Sequence, residues 1–261
     1  MAKLQAHRGV SSGYPENTMA AFVASVKEGY DYIEFDPKYT LDGEIVILHD
    51  HTLDRTARNT DGSRLPNGIK IKDITLDEAR SYDYGLWFDE SFRGEKIPLL
   101  SELLEFAKEM QIPIKVDNVW ESFPEQMKEK LFAQIEKYSD SIKIGFTCAN
   151  LRTLAMAAER FPSADIHYDG GDLSVERLEE VKRISAGHHL YVWVCFDNEM
   201  TSWFKGTKAT PEICKFVRQY GELGVWILSK REELEVAIKE LDAEIIETTG
   251  HIKPEWVSEI N

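Results

Sequence analysis

From Leu99 onward the chain alternates between two hydrophobic periods. Leu100, Leu103, Leu104 and Ala107 recur at helical spacing and predict a helix over 99–110. A short run over 112–117 follows with the bounds of a strand. The alternation then repeats, with strands at 142–147, 164–168, 190–194, 223–228 and 244–247. Between them fall helices at 124 to about 138, 151–161, 175–184, 211–220 and 229–241. Pro124 and Pro211 suit first turns, and Ser229 with Glu232 has the spacing of a capping box. Before Leu99, residues 3–7 read as a strand running into a Ser/Gly/Pro-rich loop. Asn17 or Thr18 caps a helix carrying Met19, Phe22, Val23 and Val26 on one side, and Gly29 stops it.

The stretch 31–56 has a different pattern. Ile33, Phe35 and Pro37 alternate with Glu34, Asp36 and Lys38, the period of a strand with one polar face, so Glu34 and Asp36 project together. Asp42-Gly43 reads as a two-residue hairpin turn. That register sets Leu41 opposite Glu44, Tyr39 opposite Val46, Pro37 opposite Leu48 and Asp36 opposite His49, and a bulge near Pro37 would slip it by one. His49 is therefore expected beside the two carboxylates. Residues 52–96 are loop-rich, with one short helix capped by Thr75 and Glu78.

Leaving out the returning arm of the hairpin, eight strands alternate with helices, the pattern of an α/β (β/α)₈ TIM barrel with a small insertion after the second-strand hairpin. A doubly wound sheet would carry a Gly-rich nucleotide turn after its first strand, and HRGVSSGYPENT is not one. The 261 residues, 43% hydrophobic and without a low-complexity linker, read as one domain. A net charge of −15 argues against nucleic acid or an anionic membrane as partner, so an anionic substrate needs local positive charge. Cys148, Cys195 and Cys214 form neither a disulfide framework nor a metal motif. There is no integral membrane segment, and Met1 leads into a strand without a signal-peptide pattern, so a cytoplasmic location is expected. A trimmed secreted chain would read the same way. The pattern sets no oligomeric state.

Barrel chemistry lies at the carboxyl ends of the strands, where His7, Glu34, Asp36, Asp117, Thr147, His167 and Trp193 fall. Glu34 and Asp36 are hard oxygen ligands suited to Mg²⁺ or Ca²⁺, or else ordinary members of a salt-bridged surface. With a bound cation, His7 and His49 can serve as general base and general acid, and Arg8 can make a forked contact to phosphate. This is a phosphodiester-cleaving constellation. His167 and Trp193 are candidates for the pocket wall, or else a satisfied rim histidine and a barrel-core residue respectively. Trp87, Phe88 and Trp120 can form an apolar lip or pack under a long loop, and His188 and His189 belong to the opposite barrel end.

HRG at 7–9, PENT at 15–18, IEFD at 33–36, DGE at 42–44, HD at 49–50 and LDRT at 53–56 closely resemble the glycerophosphodiester phosphodiesterase family. The stretches 87–104 and 191–199 extend the likeness over nearly the whole chain. The resemblance implies a barrel that hydrolyses glycerophosphodiesters, small-molecule substrates, to sn-glycerol 3-phosphate and an alcohol. It implies His7 and His49 as the acid/base pair, Glu34 and Asp36 as ligands of a divalent cation (Mg²⁺ or Ca²⁺, with Mn²⁺ possible), and Arg8 and Asn17 as supports of the phosphate and its loop. Segment 52–96 corresponds to an insertion that caps the site.

One strand departs from the family pattern. Where the family has Glu-x-Lys, this chain has Lys115-Val116-Asp117. Both positions share a face, so Asp117 is expected to reach the metal and Lys115 the phosphate from exchanged places. The inversion leaves two alternatives: a related barrel phosphodiesterase acting on another head group or a lysophospholipid, and a catalytically silent phosphodiester-binding barrel. The last strand reads IIETTG where the family has a Thr-Asp pair, which leaves Glu247 and Thr248 without assigned roles.

Overall fold

The computed structural model describes residues 1–260. Its strands are β1 (Lys3–Ala6), β2 (Tyr32–Phe35), β3 (Pro37–Tyr39), β4 (Ile45–Ile47), β5 (Ile114–Val116), β6 (Ile144–Cys148), β7 (Asp165–Tyr168), β8 (Leu190–Cys195), β9 (Glu222–Leu228) and β10 (Ile245–Thr248). All but β3 and β4 form a closed parallel barrel in which β1 pairs with both β2 and β10. These are the eight expected strands, seven of them within two residues of their sequence bounds, while the expected hairpin arm divides into β2 of the barrel and β3 of the separate hairpin. Helices α1 (Met19–Glu28), α2 (Leu76–Ser81), α3 (Leu100–Met110), α4 (Glu125–Glu136), α5 (Leu151–Arg160), α6 (Val175–Ile184), α7 (Pro211–Val217), α8 (Arg231–Lys239) and α9 (Pro254–Ile260) complete the chain.

The core lies between barrel and helices. Outward residues of the strands, among them Ile33, Phe35, Ile114, Val116, Phe146 and Val192, pack on helical stripes such as Leu100, Leu103, Leu104 and Ala107. Thr18 caps α1, its hydroxyl accepting from Ala21 N–H, and Gly29 ends it in the left-handed conformation. The capping box of α8 lies one residue beyond its expected place. Lys230 is the N-cap, and the Glu233 carboxylate accepts from the N–H groups of Ser229 and Lys230 (2.7 and 3.2 Å). Helix α9, which the periodicity did not announce, buries Val257 and Ile260 after the last strand. Among the described residues no helix is long and apolar enough to cross a membrane.

The hairpin differs from its expected register by one residue. Pro37 pairs with Ile47, Lys38 with Val46 and Tyr39 with Ile45. The loop holds three residues rather than two, with Gly43 at φ 78° donating to Thr40 C=O, and the Thr40 hydroxyl binding Glu44 N–H and Asp42. His49 is consequently not opposite Asp36. Leu48 takes that place, donating its N–H to the Asp36 carbonyl (2.9 Å), and His49 leaves the ladder just beyond. The following segment builds a small second core from Leu48, Leu53, Ala57, Leu65, Ile71, Ile74, Ala79, Tyr84 and Ile97.

Candidate active site

Polar side chains fill much of the barrel interior. Deep inside, Glu247 accepts from Lys115 Nζ (2.9 Å) and from Gln5 Nε2, and the Lys115 ammonium lies 4.1 Å from the centre of the Trp193 ring. Trp193 Nε1–H donates to His167 Nδ1 (3.0 Å), and the His167 ring stacks against Tyr191. Glycines make room for these rings: a Cβ on Gly145 would lie 2.4 Å from His167 Nε2, and one on Gly224 2.4 Å from Trp193 Cδ2.

Above this layer, at the carboxyl ends of β2 and β5, Glu34, Asp36 and Asp117 each offer an oxygen within 4.8 Å of the others. Arg8 N–H donates to Glu34 Oε2 (2.8 Å), and Asn17 Nδ2–H and the Arg8 guanidinium hold Asp36 Oδ2 (2.8 and 3.2 Å). Burial pushes the Glu34 carboxyl well above its ordinary range, and the charges of Asp36 and Glu247 add to the effect. Burial and Asp36 push Asp117 up to about 7. Three carboxylates packed this closely repel one another, and all-oxygen donors suit a hard divalent cation. The acidic group can therefore hold such an ion.

The loop after β1 shapes the second wall. Arg8 and Asn17 both take positive φ (58° and 56°), and Gly9 at φ 78° passes so near α1 that a Cβ would lie 2.7 Å from the Ala21 backbone. This explains why the HRG motif ends in glycine. Glu16 bridges Arg8 (3.0 Å) and Arg55 (2.6 Å), and Arg55 in turn holds Asp50 (2.8 Å). His49 Nδ1–H is held by Asp50 Oδ1 at 2.7 Å, which leaves Nε2 as the ring's other nitrogen. Against the cost of burial, bonds from Arg55 and His49 hold Asp50 down at about 2, so it is ionised at neutral pH. The PENT, HD and LDRT motifs thus meet in one chain of charges, Asp36–Arg8–Glu16–Arg55–Asp50–His49. His7 follows β1, and burial, with Arg8 beside it, lowers its pKa to about 3, so the ring is neutral.

His7, Arg8, Asn17, Glu34, Asp36 and Asp117 come together at the barrel mouth, and His49 joins through Asp50 rather than by strand pairing. Lys115 stands in register with Glu34 on the neighbouring strand and is paired with Glu247. His167 and Trp193 are 0% and 3% exposed and line the interior below the site, not its mouth. Trp120 is core, packed on Phe132 and Phe146, so it is no part of a lip, whereas Trp87 and Phe88 pack edge to face with Arg55 over the Trp87 ring. His188 bonds Ala164 C=O and His189 pairs with Glu222 at the far end. Sequence reasoning missed Asp169, which burial raises to about 6, and the role of Glu247. Asp165, His167 and Asp169 share a period of two at the end of β7, which was the available signal.

Solved structures share this architecture. An Oleispira antarctica phosphodiesterase in complex with the product sn-glycerol-3-phosphate superposes over 100% of this chain and 97% of its own, with TM-score 0.74 and 20% identity, a likeness of fold. In sequence, a glycerophosphodiester phosphodiesterase of Caldanaerobacter subterraneus subsp. tengcongensis is 40% identical over 136 residues, 51% of this chain, so the match spans about half (52%) of that relative's length. An uncharacterized Bacillus subtilis protein, YqiK, is 33% identical over 190 residues, 71% of this chain and 72% of its own. The profile of the glycerophosphoryl diester phosphodiesterase family matches residues 7–241, from the first candidate histidine to just beyond α8, and the chain belongs to that family.

Proposed function

We propose that this chain is a divalent-cation-dependent glycerophosphodiester phosphodiesterase that releases sn-glycerol 3-phosphate and an alcohol, with Mg²⁺ or Ca²⁺ as its ion and Mn²⁺ as a substitute. The convergence of Glu34, Asp36 and Asp117 within 4.8 Å beside the His7–Arg8 loop carries this reading. The product held by the Oleispira relative supports the same outcome.

Glu34, Asp36 and Asp117 would hold the cation, which when bound polarises a phosphoryl oxygen and lowers the pKa of a hydroxyl beside it. Arg8, fixed by Glu16 and Asp36, presents its remaining N–H donors to the phosphate. Asn17 keeps Asp36 aimed, and Lys115 offsets the buried negative charge from the neighbouring strand. His7 and His49 divide the proton transfers. One takes the proton of the neighbouring glycerol hydroxyl as that oxygen attacks phosphorus, and the other protonates the departing alcohol oxygen. Water then opens the cyclic phosphate with the roles reversed, which returns both rings to their starting states. Segment 52–96 caps the site.

The test is to follow a glycerophosphodiester by ³¹P NMR with each cation. A transient cyclic phosphate followed by sn-glycerol 3-phosphate is expected. An unchanged spectrum with Mg²⁺, Ca²⁺ and Mn²⁺ would refute the activity.

A further inference from the structure

A cavity of about 380 Å³ opens beside the carboxylates, and its lining is unlike the rest of this acidic chain. Its walls grow out of the site's own segments: Lys38 and Tyr39 follow Asp36, Val119 and Ser122 follow Asp117, and His51 follows His49. Lys70, Ile71 and Lys72 of the inserted segment close the far side. Three lysines and a histidine thus face one volume, and no carboxylate is among the lining residues described. Lys38, only 4% exposed, is attracted by the charges of Asp36, Asp117 and Asp50, but neither its Nζ nor that of Lys70 or Lys72 makes a hydrogen bond or close ion pair among the described residues. An anion entering this volume would meet ammonium groups with hydrogen-bond donors to spare. The cavity is therefore built to receive an anion.

Glycerol carries no charge in any glycerophosphodiester, so a cationic cavity can discriminate only through the alcohol. We propose that this cavity receives the alcohol moiety and selects alcohols bearing an anionic group, a carboxylate or a second phosphate. The inference rests on the phosphodiesterase reading above. Tyr39 and Phe123 stand edge to face at 5.0 Å on the same wall and supply apolar contact to the alcohol's carbon skeleton. Aromatic walls also serve quaternary ammonium groups, but the three lysines oppose a cationic head group such as choline. The inserted segment, by contributing two of the lysines, becomes a specificity element.

Matched substrate pairs test this. Glycerophosphoserine differs from glycerophosphoethanolamine by one carboxylate, and glycerophosphoinositol 4-phosphate from glycerophosphoinositol by one phosphate. The anionic member of at least one pair should have a kcat/KM higher by about tenfold or more, the factor one charge-assisted hydrogen bond commands. The pair that responds identifies the group. In Lys70→Gln/Lys72→Gln, whose replaced side chains are exposed and whose fold should persist, that ratio should fall toward one. Equal values in both pairs, or a ratio the double variant leaves intact, would overturn the proposal. Should none of the four be hydrolysed, the activity fails and the cavity is still tested: calorimetric binding of inositol 4-phosphate in preference to inositol, weakened in the double variant, upholds it, and no preference refutes it.

Discussion

His49 is held for its task by a neighbour in sequence, and His7 by burial. Asp50 fixes the His49 tautomer through the 2.7 Å bond to Nδ1, and Arg55 and Glu16 tie that pair to Arg8. Asn17 does similar work for the acidic group, since it holds Asp36 with a 2.8 Å bond from a left-handed backbone position. Replacing Asn17 with Ala should weaken cation affinity by about 10- to 100-fold, the usual cost of losing a ligand's supporting bond. Calorimetric titration of Mn²⁺ would measure it, and an unchanged affinity would remove Asn17 from the ion's support. At this level much was legible. Glu34, Asp36, His7 and Arg8 stand where strand period and barrel rule put them. Glu247 was not, because a barrel strand is buried on both faces and its alternation does not say which side turns inward.

The hairpin shows how a secure element can carry an insecure register. Asp42-Gly43 marks the turn correctly, but Thr40 bonds to both Asp42 and Glu44 N–H and so draws Leu41 into a three-residue loop, shifting every pair by one. The site tolerates the shift because His49 lies beyond the ladder and is placed by Asp50. Strand β5 is the inverse case. Its Lys-x-Asp order departs from the family pattern, and the structure gives the two residues different partners: Asp117 joins the carboxylates, and Lys115, level with Glu34 on the neighbouring strand, pairs with Glu247. Both partners are buried, with side chains 5% and 8% exposed. Lys115→Met should therefore destabilise the protein by about 3–5 kcal/mol in urea unfolding, because it strands a buried carboxylate. Lys115→Met/Glu247→Gln should recover most of that loss. A single variant as stable as the parent would mean Glu247 is held by Gln5 alone.

For the whole molecule, the acidic site links folding to pH and to the ion. Burial and Asp36 raise Asp117 to about 7 in the folded chain, against about 4 when unfolded. The folded state then binds this proton more tightly, so the metal-free protein has the full benefit below about pH 4 and loses it as pH rises toward 7. Glu34 is shifted the same way. A bound cation cancels the repulsion, so the rise in Tm on adding Mn²⁺ should be larger at pH 8 than at pH 5, and a rise independent of pH would contradict this linkage. The barrel itself was legible because eight strands and their helices carry clear periods. The cationic cavity was not, since Lys38, His51, Lys70 and Lys72 are distant in sequence and ordinary as single residues. The most direct measurement is sn-glycerol 3-phosphate release from glycerophosphodiesters by the purified protein, with divalent cation or with EDTA, beside His7→Ala and Asp117→Asn. Release that stops in EDTA, falls by about 10²- to 10⁴-fold in His7→Ala and needs more cation in Asp117→Asn is the predicted result. Release that persists in EDTA or is untouched by His7→Ala would contradict the account.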